Sequence, residues 1–108
     1  MALRVFYCFY GTGETVTEPR PTDAADLVGY VDRLTHDRDF VGVVDDGGTT
    51  LQVMYEADDD RYWVEIPVPK EGGSYGRHLD HTALRALFMQ LPERFEPGAF
   101  DGLRFEAW

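Results

Sequence analysis

From Val41 to Val68 apolar residues fall on every second position: Val41 and Val43, then Leu51, Val53 and Tyr55, then Tyr62, Val64, Ile66 and Val68. A period of two places these side chains on one side of a pleated strand, so the segment reads as three half-buried strands. Pairing Val43 with Leu51 and Val41 with Val53 keeps the first two apolar sets on one face. It leaves Asp46, Gly47 and Gly48 as a three-residue loop, with a glycine at the left-handed position. A two-residue Asp-Gly turn would set apolar against polar faces and is rejected. In the second hairpin Tyr55 is matched with Tyr62, Val53 with Val64 and Leu51 with Ile66, and Ala57 to Asp60 form the tip. The same register aligns Glu56 with Arg61, Met54 with Trp63 and Gln52 with Glu65 on the opposite side, and a slip by two residues would preserve the faces but change the pairs.

Elsewhere the period changes. From Thr22 or Asp23 onward, Leu27, Tyr30, Val31 and Leu34 share a helical stripe behind a candidate cap, and Asp32, Arg33, Asp37 and Arg38 make a solvated outer side together with His36. A second helix is expected from His81 to Leu91, with Leu84, Leu87, Phe88 and Leu91 inward, Asp80 or Thr82 as cap, and Pro92 in the last turn. "LRVFYCFYG" at the start is a near-continuous β-branched and aromatic run, the pattern of a strand buried on both faces or nearly so, ended by Gly11 and Gly13. A short strand is possible just after it. "PVPKEGGSYGRHL", Pro67 to Leu79, has two prolines and three glycines and reads as a long loop or an irregular edge. "LRFEAW" is a last strand, with Leu103 and Phe105 facing one way and Arg104, Glu106 and Trp108 the other. These elements predict an α+β fold of two layers over residues 1–108 as a single domain. A mainly antiparallel sheet of four to six strands would carry both helices on one face.

A chain of 108 residues has room for one core, and 44% apolar with 14% aromatic residues suits an independently folding domain. The aromatics and glycine that end the first apolar run make a poor signal peptide, so the cytoplasm is the expected location. Cys8 is the lone cysteine, which excludes an internal disulfide, and within an apolar strand it reads as a small core residue. The net charge of −10 disfavours nucleic acid as a direct ligand, because phosphate binding needs clustered Lys and Arg and the chain has a single lysine, Lys70. Such charge either keeps a small protein soluble or prepares it for a basic partner.

No motif assembles an active site. "GTGETVT" begins like a phosphate loop but lacks the third glycine, and its threonines and valine favour strand where a helix is required. Glu56, Asp58, Asp59 and Asp60 lack the twelve-position spacing of a calcium loop, and Arg61 competes for them. "RHLDH" has neither the helical His spacing nor the further ligands of a zinc site. Ser74, the only serine, sits in no nucleophile elbow. The expectation is therefore no catalytic residue, no cofactor and no metal. A binding role suits the outward side of the second hairpin. Met54, Trp63 and Tyr75 would supply buried contact, ringed by Glu56, Arg61 and Glu65, with the acidic tip Asp58, Asp59 and Asp60 governing encounter. The competing reading lays the helices over this side and makes Trp63 core. Another alternative is a small-molecule or enzymatic pocket formed by Glu65, Tyr75, Arg77 and His78.

The succession "DAADLVGYVDRL", "FVGVVDDGGTTLQVMY…RYWVEIPV", "HTALRALFMQL" and "LRFEAW" resembles the small α+β immunity proteins of bacterial polymorphic and interbacterial toxin systems. The resemblance covers nearly the whole chain through element order and the terminal tryptophan. It implies a cytoplasmic, non-enzymatic binding protein that neutralises a cognate toxin, including nuclease and deaminase toxins, by occluding a basic active site. It transfers no individual functional residue.

Overall fold

The computed structural model describes residues 3–108. Seven strands, β1 (Leu3–Phe9), β2 (Glu14–Thr22), β3 (Phe40–Val44), β4 (Thr50–Glu56), β5 (Arg61–Val68), β6 (Gly73–Leu79) and β7 (Arg104–Ala107), form one sheet in the order β2-β1-β3-β4-β5-β6-β7. Every neighbouring pair is antiparallel. Two helices, α1 (Ala24–Asp32) and α2 (His81–Met89), pack side by side on one face. This is the two-layer α+β architecture that the pattern predicts, with one strand more than its upper bound.

Local chemistry starts each helix. Asp23 Oδ1 accepts from the Asp26 N–H at 2.9 Å, and Asp80 Oδ1 from the Ala83 N–H at 2.8 Å. Each carboxylate satisfies one of the backbone donors left without an intrahelical partner. Both helices lay their apolar stripes on the sheet: Leu27, Val31, Leu84 and Phe88 are fully buried against Val5, Val41, Val43, Leu51, Val64 and Ile66. Phe95 and Phe100, from the segment after α2, complete the same core.

Both hairpins adopt the expected registers: Val43 opposite Leu51, Val41 opposite Val53, Val53 opposite Val64, Tyr55 opposite Tyr62. The first closes over Asp46, Gly47 and Gly48, with Gly48 at φ +86° where a side chain would be strained. Five expectations are corrected. Residues 73–79 form strand β6 and not a loop, because β5 pairs with it along its whole length and β7 pairs with its other side over Gly73 to Gly76. The strand after Gly13 runs nine residues, and its Pro19 and Pro21 are tolerated because β2 lies at the sheet edge. Helix α2 ends at Met89, so Pro92 lies beyond it, and α1 ends before Leu34, which is nonetheless buried. Strand β1 is buried on its helix-facing side only, and Cys8 on the other side is half-buried.

Two of the 20 acids hold the fold together from inside. Asp39, fully buried, accepts from the N–H groups of Tyr10 (2.8 Å), Thr35 (3.0 Å) and His36 (2.9 Å), tying the α1–β3 loop to the end of β1. Asp45 accepts from Gly47 (2.9 Å), Thr49 (2.9 Å) and Phe95 (2.8 Å), joining the β3–β4 loop to the segment carrying Phe95. A buried carboxylate is tolerable when several donors converge on it in this way.

Candidate functional site

With both helices on one side, the other side of the sheet is uncovered, and the reading that makes Trp63 helix-covered core falls away. Cross-strand pairing sets its residues in rows. One row runs Phe6, Gly42, Gln52, Glu65, Gly76, Arg104, and the next Cys8, Phe40, Met54, Trp63, His78. Glu56 opposite Arg61 begins a third.

The glycines in the first row have a steric purpose. A Cβ at Gly42 would collide with the ring of Phe6, and one at Gly76 with the indole of Trp63. Each ring therefore lies across the neighbouring strand's backbone. Phe6 and Phe40 meet edge to face at 6.2 Å, and Trp63 lies 4.9 Å from the ring of His78. Between these aromatics opens a depression of about 370 Å³ lined by Phe6, Phe40, Gln52, Met54, Trp63 and Glu65. The half-buried Glu65 carboxylate accepts from Trp63 Nε1 at 2.6 Å, from Gln52 Nε2 at 2.8 Å and from the buried Ser74 Oγ at 3.4 Å.

The β4–β5 tip closes one end of this face. A single 3₁₀ turn, Ala57–Asp59, leads into Asp60 at φ +48°, and the Tyr55 hydroxyl donates to Asp60 Oδ1 at 2.8 Å. That hydrogen bond, followed by desolvation and the Asp60 charge, raises the Tyr55 pKa, since each favours the neutral phenol. Arg61 pairs with Glu56 at 2.8 Å and with Asp59 at 3.4 Å, while His78 lies 3.0 Å from Glu56. Asp37 joins the cluster by accepting from the Ala57 N–H at 3.0 Å, with Arg38 3.9 Å away. Asp58 makes no hydrogen bond or ion pair among the described residues. Five carboxylates thus face two guanidiniums at this end, and the region is negative despite its internal pairing.

Met54, Trp63 and Glu65 share the open side, Glu56 and Arg61 border it, and Asp58, Asp59 and Asp60 stand at its end. Tyr75 does not belong with them. It pairs with the core residue Ile66 and so lies on the helix side, donating to Glu71 at 2.8 Å and packing 5.2 Å from Phe105. The four-residue pocket of Glu65, Tyr75, Arg77 and His78 fails for the same reason, because alternation along β6 puts Tyr75 and Arg77 on one side and His78 on the other. The histidines of "RHLDH" part as well, His78 toward Glu56 and His81 toward Asp32. Among the described residues no group of three or more His, Cys, Asp or Glu side chains is placed to hold a metal ion. Phe6, Phe40 and Ser74 are members of the site that sequence reasoning missed, while Gln52 stands opposite Glu65 as the register predicts. Phe40 was accessible to it, because an inward Val41 implies an outward Phe40. No protein family, no curated protein and no solved structure shows a significant match to this chain, so its function is read from this geometry.

Proposed function

We propose that the protein is a stoichiometric inhibitor of a basic protein, an immunity protein that binds a cognate bacterial toxin domain through the uncovered sheet face and occludes its active site. The observation that carries this reading is an aromatic depression, Phe6, Phe40, Met54 and Trp63, sharing one face with a carboxylate-rich end. Aromatic anchors supply affinity where they are buried by a partner, and like-signed charge at the margin steers the encounter. A nuclease or deaminase toxin that binds a polyanion is positive at its active site, and Asp58, Asp59 and Asp60 would stand in for the phosphates. The extents of the molecule, 35 × 32 × 24 Å, leave a sheet face able to supply the roughly 800 Å² per partner that tight inhibitory complexes bury. The reading needs neither catalytic residue nor cofactor, and it places the protein in the cytoplasm beside its target. No helix among the described residues is long and apolar enough to cross a membrane.

The direct test is whether the adjacent reading frame encodes a protein with a toxin-like C-terminal domain and, where it does, co-expression with that domain. Cells carrying both are expected to grow where cells carrying the toxin domain alone do not, and absence of rescue refutes the proposal. Within the complex, changing Asp58, Asp59 and Asp60 together to lysine is expected to slow association by about tenfold or more at low salt and to flatten its salt dependence. An unchanged rate would remove the tip from the steering role.

A further inference from the structure

We infer that the depression between Phe6, Phe40, Met54 and Trp63 receives the guanidinium of an arginine side chain presented by the protein partner, with Glu65 as its counter-charge. The inference rests on the docking role proposed above and names the chemistry at its centre.

Three features converge on a planar cation. Glu65 makes no ion pair among the described residues. Its three partners are neutral donors: Gln52 on Oε1, and Trp63 with Ser74 on Oε2. A carboxylate has about four acceptor positions, so one remains on Oε1, the oxygen bonded only to Gln52. The cation nearest along its row, Arg104, is separated from it by Gly76 and the Trp63 indole lying over that glycine. A half-buried carboxylate with fixed orientation and no counter-ion is therefore already in place.

The walls point the same way. Aromatic faces attract cations through their quadrupoles, and guanidinium, being planar and weakly hydrated, stacks on them better than ammonium does. The volume of about 370 Å³ is at the small end of ligand sites, and the depression is open to solvent on its outer side. Small ligands are usually 70–90% enclosed. An open hollow on a sheet face instead suits a single side chain whose parent protein covers the rest. The carboxylate-rich end formed by Glu56 and Asp58 to Asp60 adds long-range attraction for a basic partner.

The test uses N-acetyl-arginine methylamide as probe, with the isosteric, uncharged citrulline compound as control. The chain has two tryptophans, and Trp108 is 72% exposed, so Trp108→Phe leaves Trp63 as the sole indole reporter. Titration is expected to shift the Trp63 indole N–H resonance saturably with the arginine compound and at least tenfold more weakly with the citrulline compound. Glu65→Gln retains an acceptor oxygen for the Trp63 N–H and is expected to weaken arginine binding by tenfold or more. If that variant does not fold, the arginine-to-citrulline ratio on the Trp108→Phe protein decides alone. Equal responses to the two compounds, or no saturable response up to about 100 mM, overturn the inference. Rescue of cells from the toxin domain together with either of those results would leave the docking role standing and remove only the arginine site.

Discussion

On the helix side of the sheet Val5, Val41, Val43, Leu51, Val64 and Ile66 are completely enclosed, whereas across the same strands Phe6, Phe40, Met54 and Trp63 are only half-buried. The first side is closed by three covers, α1, α2 and the segment bearing Phe95 and Phe100. The second has none and reduces its apolar exposure locally, by laying rings over Gly42 and Gly76 and by satisfying Glu65. One side therefore holds most of the folding free energy, and the other keeps apolar area in reserve.

The largest expected effect tests that division. Phe88 is fully enclosed, so Phe88→Ala is expected to cost about 3–5 kcal/mol from lost transfer energy and a cavity. Trp63→Ala removes a larger side chain, yet it should cost less, about 2–3 kcal/mol, because the indole is only partly buried, its removal leaves an open hollow and no sealed cavity, and a single hydrogen bond is lost. Urea unfolding of both variants measures the difference. Equal losses would mean that the open side is a second core and not a surface awaiting a partner.

Next in size is the fastening of the third cover. Asp45→Ala withdraws the acceptor from three backbone N–H groups, including that of Phe95, and is expected to cost about 2–3 kcal/mol. Amide exchange should locate the effect at Gly47, Thr49 and Phe95 while leaving Gln52 and Trp63 protected. Loosening that spread to the open side would show that the two faces are not energetically separable.

How far this division could be read in advance depended on which physical rule each segment obeyed. Strands β3, β4 and β5 alternate cleanly, so the faces of Met54, Trp63, Glu56 and Arg61 are legible in the sequence. A slip of two residues keeps those faces, and the structure selects Met54 opposite Trp63 and Glu56 opposite Arg61. Strand β6, "GSYGRHL", carries two glycines and no alternation. It is a strand because β5 and β7 flank it, and glycine is required at position 73 by the Glu106 carbonyl and the Phe105 ring and at position 76 by the Trp63 indole. Read as a loop, that segment had no faces, which is why Tyr75 was placed with Trp63. Phe6 was hidden differently: in "LRVFYCFY" every position is apolar except Arg4, so hydrophobicity cannot say which side is closed. Asp39 and Asp45 are indistinguishable in sequence from 18 other acids, since convergence of donors is a tertiary property.

The smallest effect belongs to the contact that links two of the covers. Asp32 is the last residue of α1, where the helix dipole disfavours a negative charge. It is offset by α2, whose Arg85 Nε lies 3.0 Å and His81 Nε2 3.1 Å from Asp32 Oδ1. The Arg85 hydrogen bond lowers the Asp32 pKa, opposed in part by desolvation and assisted by the Arg85 charge and by His81. Because the folded pKa lies below the unfolded one, near 3.9, the pair stabilises the fold fully above that value. The contribution disappears as pH falls through the folded pKa. The Asp32 side chain is 38% exposed, so screening limits the contribution to less than about 1 kcal/mol. Asp32→Asn should therefore be slightly less stable than the wild type at pH 7, with the gap closing below about pH 4 and narrowing in high salt. A gap that stayed constant down to pH 2 would show that Asp32 joins the helices through packing and not through its charge.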